Sequence, residues 1–334
     1  MAVIGNTNPT LLEVSKLYTG DGTPLPVAEL LTEQNPILDD IPWFESNQTT
    51  GERLAVRTGL PEAVYRKLNA GIPASKSRYA DVTESTGMLT SLGKVDKALA
   101  DLAPNSADFR VRENMGHFTA MNQTFANRLF YGDTDVSPQE FLGFAPRFSE
   151  ADETKAENAV QLIDGGGTGT DNASIWLIGW GKEGAYGIYP KGSKAGLIHE
   201  DYGVELVKDA DGNEFPAYRD WFEWHHGIAV KDWRNIVRVA NVDVTTLTKN
   251  ASAGADLIDL MVQAVEQVNA PDAVKLAFYV PRSVRSFLRR QITNKDNVWL
   301  SMGEVAGRKA TLFDGIPVRR VDALYTNEAE IQFP

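Results

Sequence analysis

The chain has 334 residues, of which 33 are basic and 45 acidic, giving a formal charge of −12; 43% of its residues are hydrophobic. This composition excludes disordered, collagen-like and low-complexity classes, and the length suits two or three compact units at roughly 100–200 residues each. There is no cysteine, which removes disulfides, thiolate zinc sites, iron–sulfur clusters and cysteine nucleophiles together, and disfavours a secreted scaffold. The start, MAVIGNTNPT, lacks the basic and apolar regions of a signal peptide. No apolar run approaches the ~20 residues of a membrane span, and the acidic balance argues against a nucleic-acid binder held by phosphate contacts. A soluble, acidic, intracellular α+β protein is the expectation.

The first fifty residues predict two short amphipathic helices. Over 10–17, Thr10 stands as N-cap, Glu13 at the capping-box position and Gly20 as stop. The second, over 27–34, is entered through Pro26 and ends before Pro36. Each is far below the ~12–15 residues at which a lone helix becomes marginally stable. Leu11, Leu12, Leu17, Leu30 and Leu31 therefore need cover, either from a neighbouring copy or from the rest of their own chain. Strand-like segments follow at 53–57 and 63–68, with a return strand at 88–95. The intervening Gly71, Pro73, Ser75, Ser77, Ser85 and Gly87 offer little core material. A projecting hairpin is predicted, and twenty strand residues would reach about 60 Å.

Helical period is clear over 106–130, where Phe118, Met121, Phe125 and Leu129 recur at three- and four-residue steps after Phe109 and Met115. Asn105 or Ser106 caps this helix, which at roughly 37 Å suits a brace along a sheet. Residues 149–172 read as an acidic, Gly-rich, mobile loop. Strands are predicted at 175–180, 185–189, 203–208, 215–224 and 236–242, with Asp211-Gly212 as a turn. The last ninety residues alternate: a helix through Leu257, Met261, Val265 and Val268, a strand at 273–280, a helix at 281–292 packed through Val284, Phe287 and Leu288, and a late strand from Ile316.

Motifs that could carry chemistry are weak. Gly179, Gly181 and Gly184 satisfy the G-x-G-x-x-G spacing, but a strand rather than a helix is predicted next, so the glycines read as a hairpin turn and not a dinucleotide site. In Gly192-Ser193-Lys194 the lysine follows the hydroxyl residue, the reverse of a phosphate-binding loop. Asp209, Asp211 and Asn213 lack a bidentate glutamate for calcium and read as a solvated tip. His225 and His226, adjacent in a strand, face opposite sides; with only His117 and His199 besides, a histidine metal site or triad is not expected. The pair Asp39-Asp40 reads as solvated. Arg282, Arg285 and Arg289, at i, i+3 and i+7 with Arg290 beside them, form either a solvated helix face or a basic ridge that meets acidic surface on a neighbour. Nucleic acid there runs against the overall charge. No catalytic, metal or cofactor residue is assigned.

The order of elements is similar to that of a tailed-bacteriophage major capsid protein of the Hong Kong ninety-seven type. The residues that carry the resemblance are the run 277–288, Ala-Phe-Tyr-Val-Pro-Arg-Ser-Val-Arg-Ser-Phe-Leu, and the run 313–324, Phe-Asp-Gly-Ile-Pro-Val-Arg-Arg-Val-Asp-Ala-Leu. The opening Pro9-Thr10-Leu11-Leu12-Glu13-Val14-Ser15-Lys16 and Ile41-Pro42-Trp43-Phe44 resemble coat proteins of epsilon-fifteen-like and Bordetella podophages. The resemblance implies an α+β capsid fold with an N-terminal arm (1–50), an E-loop (51–100) and a peripheral domain (101–245). That domain would hold a spine helix at 105–131 and a β-rich insertion at 173–230. An axial domain (246–320) and a terminal strand (321–334) would complete it. It also implies a non-enzymatic shell subunit, without cofactor, that assembles in the host cytoplasm into virion hexamers and pentamers. Further partners in such a family are a cement or decoration protein, a scaffolding protein, a portal and packaged DNA touched non-specifically; no membrane is implied. The inter-subunit contacts expected on this reading are Leu11, Leu12, Leu17, Leu30, Leu31, Trp43, Val64, Tyr65, Leu68, Arg282, Arg285 and Arg289. Some members join a hairpin lysine to a distant asparagine. Lys67, Lys76 and Lys94 are available here, but no catalytic glutamate is identifiable and non-covalent reinforcement is expected. The competing readings are a cellular nanocompartment shell of the same fold, a tryptophan-rich carbohydrate-binding module, and a carboxylate hydrolase.

Overall fold

The computed structural model describes residues 35–103, 105–209, 211–248, 254–294, 300–305 and 308–334. The arm helices expected over 10–17 and 27–34, with Leu11, Leu12, Leu17, Leu30 and Leu31, lie outside the described residues. The described chain opens with a 3-10 turn at Pro36–Asp39 and a short strand, β1 (Trp43–Glu45). A two-stranded ribbon follows, β2 (Gly51–Gly59) antiparallel to β3 (Arg78–Ser85), in register from Gly51↔Ser85 to Gly59↔Arg78. Strand β4 (Gly87–Asp96) runs into helix α1 (Lys97–Leu102), whose first turn is capped by the Asp96 carboxylate accepting from the Ala98 amide at 2.8 Å. Helix α2 (Ser106–Tyr131) is capped by Asn105 Oδ1, which accepts from the amides of Ala107 and Asp108. Helix α3 (Phe144–Arg147) is a single turn.

Strand β9 (Glu214–Val230) is the seam of the molecule. Its first part lies between β8 (Ile198–Lys208) and β4, with Trp221 opposite Leu92, and its last residues pair with β7 (Ala185–Tyr189). A second group of strands runs β5 (Leu162–Asp164), β10 (Ile236–Asp243), β6 (Asn172–Trp180), β11 (Lys275–Val280), β14 (Ile316–Arg320), β13 (Arg308–Phe313) and β12 (Leu300–Val305), each hydrogen-bonded to the next. All nine residues of β6 are buried, because both faces of this strand are covered. Strand geometry sends Ile175 and Leu177 to one face and Trp176, Ile178 and Trp180 to the other. On the first face lie α4 (Leu257–Glu266), through Leu257 and Met261, and α5 (Arg282–Asn294), through Val284 and Leu288. The aromatic layer of Phe130, Phe144 and Phe148 covers the second. The 173–230 stretch, expected to include an insertion, thus holds a central strand of this sheet.

Helix α2 braces the β4–β9 surface as its apolar period predicts. Phe118 meets Phe222 edge-on at 5.0 Å, Phe125 lies 4.6 Å from Trp224, and Leu129 and Phe130 are fully buried. Met115, counted in the same stripe, is exposed.

Several other expectations differ from what is observed. Residues 63–68 are not a strand: the ribbon's pairing ends at Gly59↔Arg78, and no strand lies beside the exposed segment to complete a ladder. The ribbon's return strand is 78–85, and the predicted return strand at 88–95 instead pairs with β9. Lys94 therefore stands off the hairpin, with its Nζ donating to the Lys208 carbonyl at 3.3 Å. The 149–172 segment contains a 3-10 turn and β5, with Leu162 and Ile163 buried. The Gly181–Gly184 turn is followed by β7 with no helix, but the pair Trp180↔Ala185 is parallel, so the chain passes on to a new partner rather than reversing. Asp40 is not solvated: its carboxylate accepts from Tyr279 Oη at 2.9 Å and Arg319 Nη2 at 2.8 Å. A buried carboxylate needs such partners, and a run of two aspartates in sequence does not reveal them.

Candidate assembly surfaces

The ribbon projects a lobe, residues 60–77, beyond its last strand pair. The lobe's few internal bonds are local, such as Ser75 Oγ donating to the Glu62 carbonyl and Arg66 Nε to the Ala70 carbonyl, both at 3.0 Å. Its apolar side chains stand in water: Tyr65 is fully exposed, Leu68 95% and Leu60 78%, with Ile72 and Val64 also open. Single exposed apolar residues are ordinary, but five within the eighteen residues of one projection are a concentration that favours an interaction site. The lobe and its roots are also cationic, with Arg57, Arg66, Lys67, Lys76 and Arg78 against the single carboxylate of Glu62.

The base of the ribbon is fastened by a buried ion pair. Arg147 Nη1 and Nη2 donate to the two Glu84 oxygens at 2.6 Å each, joining α3 to the end of β3. Their side chains are 14% and 4% exposed. Arg147 also donates from Nε to the Gly143 carbonyl and from Nη2 to the Leu142 carbonyl. At the facing strand, a side chain at Gly51 would place its Cβ 2.0 Å from the Glu84 carbonyl oxygen, so only glycine allows the two strands to start there. Neither Glu84 nor Arg147 is identifiable from sequence: 63 residues separate them and no pattern links them.

The remaining expected contact residues lie apart from one another. Trp43 is packed within its own chain, its ring 5.9 Å from Phe125 and 5.7 Å from Trp224, above Gly187. Val64, Tyr65 and Leu68 share the exposed lobe. Arg282, Arg285 and Arg289 line one hollow together with Arg290 and Arg320. The structure thus brings the two groups together internally and keeps them distinct from each other.

Polar side chains elsewhere are engaged structurally. His226 is buried beside Phe125, Phe141 and Trp224, and burial pushes its pKa down to about 4. His225 points the other way and pairs with Glu223. His117 accepts or donates at Ser91 Oγ at 2.7 Å, whereas Asp220 pairs with a different ring, His199, at 2.9 Å and with Arg110 at 3.0 Å. Serine, histidine and aspartate therefore do not form one relay. Asp209 closes its hairpin tip by accepting from the amides of Asp211 and Asn213. Among the described residues no group of three or more histidine or carboxylate side chains is placed to hold a metal ion.

With this geometry in view, the comparisons with known proteins are specific. A family model for "Major capsid protein GP7" matches residues 19–332. Among solved structures, the chain is similar to that of bacteriophage Epsilon15, with 37% identity and a TM-score of 0.79 over 99% of this chain and 100% of the other. The bacteriophage JBD30 capsid covers 88% of this chain and 92% of its own with a TM-score of 0.51; at 9% identity this is a likeness of fold alone. No curated protein matches.

Proposed function

The chain belongs to the major capsid protein GP7 family, hence to the tailed-phage coat proteins of the Hong Kong ninety-seven fold, and from that premise we propose how its surfaces build the shell. It is a structural, non-enzymatic component of the virion. In our reading, hexamers and pentamers of this chain close an icosahedral shell around a double-stranded DNA genome, assembled in the host cytoplasm. Residues 1–50 act as the arm, 51–86 as the extended loop, 87–245 and 321–334 as the peripheral domain, and 246–320 as the axial domain; β4, expected in the loop, pairs with β9 and so belongs with the peripheral domain. A portal, a scaffolding protein and a cement or decoration protein are the partners such a shell calls for.

One observation carries the reading of the surface: the lobe at 60–77 holds Tyr65, Leu68, Leu60, Ile72 and Val64 away from every core cluster of its own subunit. Burying a large apolar side chain contributes about 1.5–3 kcal/mol. A neighbour that covers the lobe makes the contact, and a closed shell repeats it at every subunit. Val64, Tyr65 and Leu68 are therefore proposed as inter-subunit contacts, with the arm leucines Leu11, Leu12, Leu17, Leu30 and Leu31 in the same role. Trp43, covered by its own chain, is omitted.

The test removes the lobe without touching the core. Replacing residues 60–77 by Asn-Gly joins the two ribbon strands through a tight hairpin turn. The variant should melt as the parent subunit does and fail to form closed particles in negative-stain images. Normal shells from this variant would refute the role given to the lobe.

A further inference from the structure

Helix α5 presents Arg282, Arg285, Arg289 and Arg290 to one side, and Arg320 at the end of β14 joins them around a hollow of about 430 Å³. Ser286 is the other lining residue, and among the described residues no carboxylate lines the space. Arg320 is engaged by Asp322, which accepts from its Nε and Nη2 at 2.7 and 2.6 Å. Arg290 lies over the Phe287 ring at 5.1 Å. Arg285 is half-buried, and its Nε is buried without a hydrogen-bond partner. Burial first, then the charges of Arg289 and Arg320, hold the Arg285 guanidinium below its ordinary value.

A protein of net charge −12 has no general reason to gather five guanidinium groups around one cavity. Arg320 is paired with Asp322, but the charges of Arg289 and Arg320 still act unfavourably on the half-buried Arg285, and an anion entering the hollow relieves that repulsion. Guanidinium forks match oxyanions through paired N–H donors. A carboxylate offers two oxygens in one plane and a single charge. A terminal phosphoryl group offers three peripheral oxygens and up to two charges, and a backbone phosphodiester offers two non-bridging oxygens on a tetrahedral centre with neighbouring phosphates beyond it, so either can meet forks that converge from a helix face and a strand end. The volume falls within the roughly 300–1,000 Å³ of small-ligand sites. The overall acidity does not forbid this, because the Debye length is about 10 Å at 0.1 M salt and an anion in the hollow feels the nearby arginines far more than distant carboxylates.

We propose that this hollow is a phosphate-binding site, taking phosphoryl groups either from a free polyphosphate or from a nucleic-acid backbone. The assignment departs from the sequence-level picture of a basic ridge meeting acidic protein surface, and the experiment separates the two.

Full-length protein is titrated at about 0.1 M salt with sodium tripolyphosphate by calorimetry, and with a short labelled DNA duplex by fluorescence anisotropy. Arg285→Gln combined with Arg289→Gln should weaken binding about tenfold or more, the loss expected when charge-assisted hydrogen bonds are removed. Arg53→Gln with Arg57→Gln, an equal change of charge on the ribbon, should change it by less than about twofold. Arg285→Lys retains the charge and loses the fork, so it should fall between. Loss of tripolyphosphate binding alone identifies a free phosphate source, and loss of duplex binding alone identifies the nucleic-acid backbone. Loss of both supports the shared chemistry. Failure of both probes to bind the parent protein overturns the proposal, as does an equal effect from the ribbon control. Competition by a charge-matched oligoglutamate as strong as that by tripolyphosphate also overturns it and restores the acidic-protein reading. That competition uses only the parent protein, so the outcome does not depend on whether the double variant folds.

Discussion

Removing the Glu84 carboxylate should destabilise the subunit at the root of the ribbon. In Glu84→Ala, Arg147 keeps its bonds to the Gly143 and Leu142 carbonyls at 3.2 and 3.1 Å but loses both oxygens that neutralise it. Deleting one partner of a buried ion pair costs about 3–5 kcal/mol, and the two surviving carbonyl bonds place this case near the lower end. At about 2–4 °C per kcal/mol for chains of this order, the melting temperature should fall by about 6–12 °C. Apolar replacement of both partners behaves differently. The space around the pair is lined by Val56, Val82, Phe148, Val230 and Trp233, with Thr58, Glu157, Asn158 and Lys231 at its polar part, so Glu84→Met with Arg147→Met should recover most of the loss. Assembly separates the two variants again. The pair fixes the direction in which the ribbon leaves the core, so the double variant should melt near the parent yet assemble less well in light scattering. A Glu84→Ala protein that melts within about 1 °C of the parent would show that this pair does not hold the ribbon.

Three further outcomes follow from particular residues. His226 keeps its neutral form in the fold, with its pKa down at about 4, while the unfolded chain takes up the proton near 6.5; stability is then present above 6.5 and is lost as pH falls toward 4, by about 3 kcal/mol in all. Urea midpoints of His226→Phe should lose most of that slope between pH 6.5 and 4, and an unchanged slope would assign it to other groups. Gly187→Ala places a Cβ 2.6 Å from the Trp43 ring, so it should cost about 1–3 kcal/mol in urea unfolding through displacement of that ring. Tyr65→Ser with Leu68→Ser, at exposed positions, should leave unfolding within about 0.5 kcal/mol of the parent while raising the protein concentration needed for assembly.

Much of the fold was legible because periodicity is a local signal. The 106–130 stripe and the Asn105 cap define α2 to within a residue, and alternating apolar runs place β6, β7 and β10. What was not legible depended on distant partners. The 63–68 segment alternates like a strand but has nothing to pair with, whereas the true return strand at 78–85 carries Asp81, Glu84 and few large apolar residues. Strands β12 and β13 were not predicted, although each pairs with a strand close to it in the chain. Asp40 illustrates the limit for polar groups. Its role arises from Arg319 and Tyr279, each more than two hundred residues away, and nothing in Asp39-Asp40 distinguishes the buried carboxylate from its solvated neighbour. The exposure of Val64, Tyr65 and Leu68 was readable because a hairpin rich in Gly, Pro and Ser cannot bury them itself.

Salt should act on assembly through two opposing effects that differ in range. Subunits of net charge −12 repel over distances up to the Debye length, which is long at low ionic strength, and about 0.1 M salt shortens it to about 10 Å and removes most of that repulsion. The cations of the lobe, Arg66 and Lys67 among them, attract acidic surface only once subunits touch, where screening is weaker. Light scattering should therefore rise as salt is added from low ionic strength. Arg66→Gln with Lys67→Gln increases the net negative charge and removes two short-range attractions, so it should move the rise to higher salt. Scattering from the parent that stays flat or falls over the titration would show that long-range repulsion does not limit assembly. A variant that assembles at lower salt than the parent would show that the lobe's cations oppose the contact and that its apolar side chains alone make it.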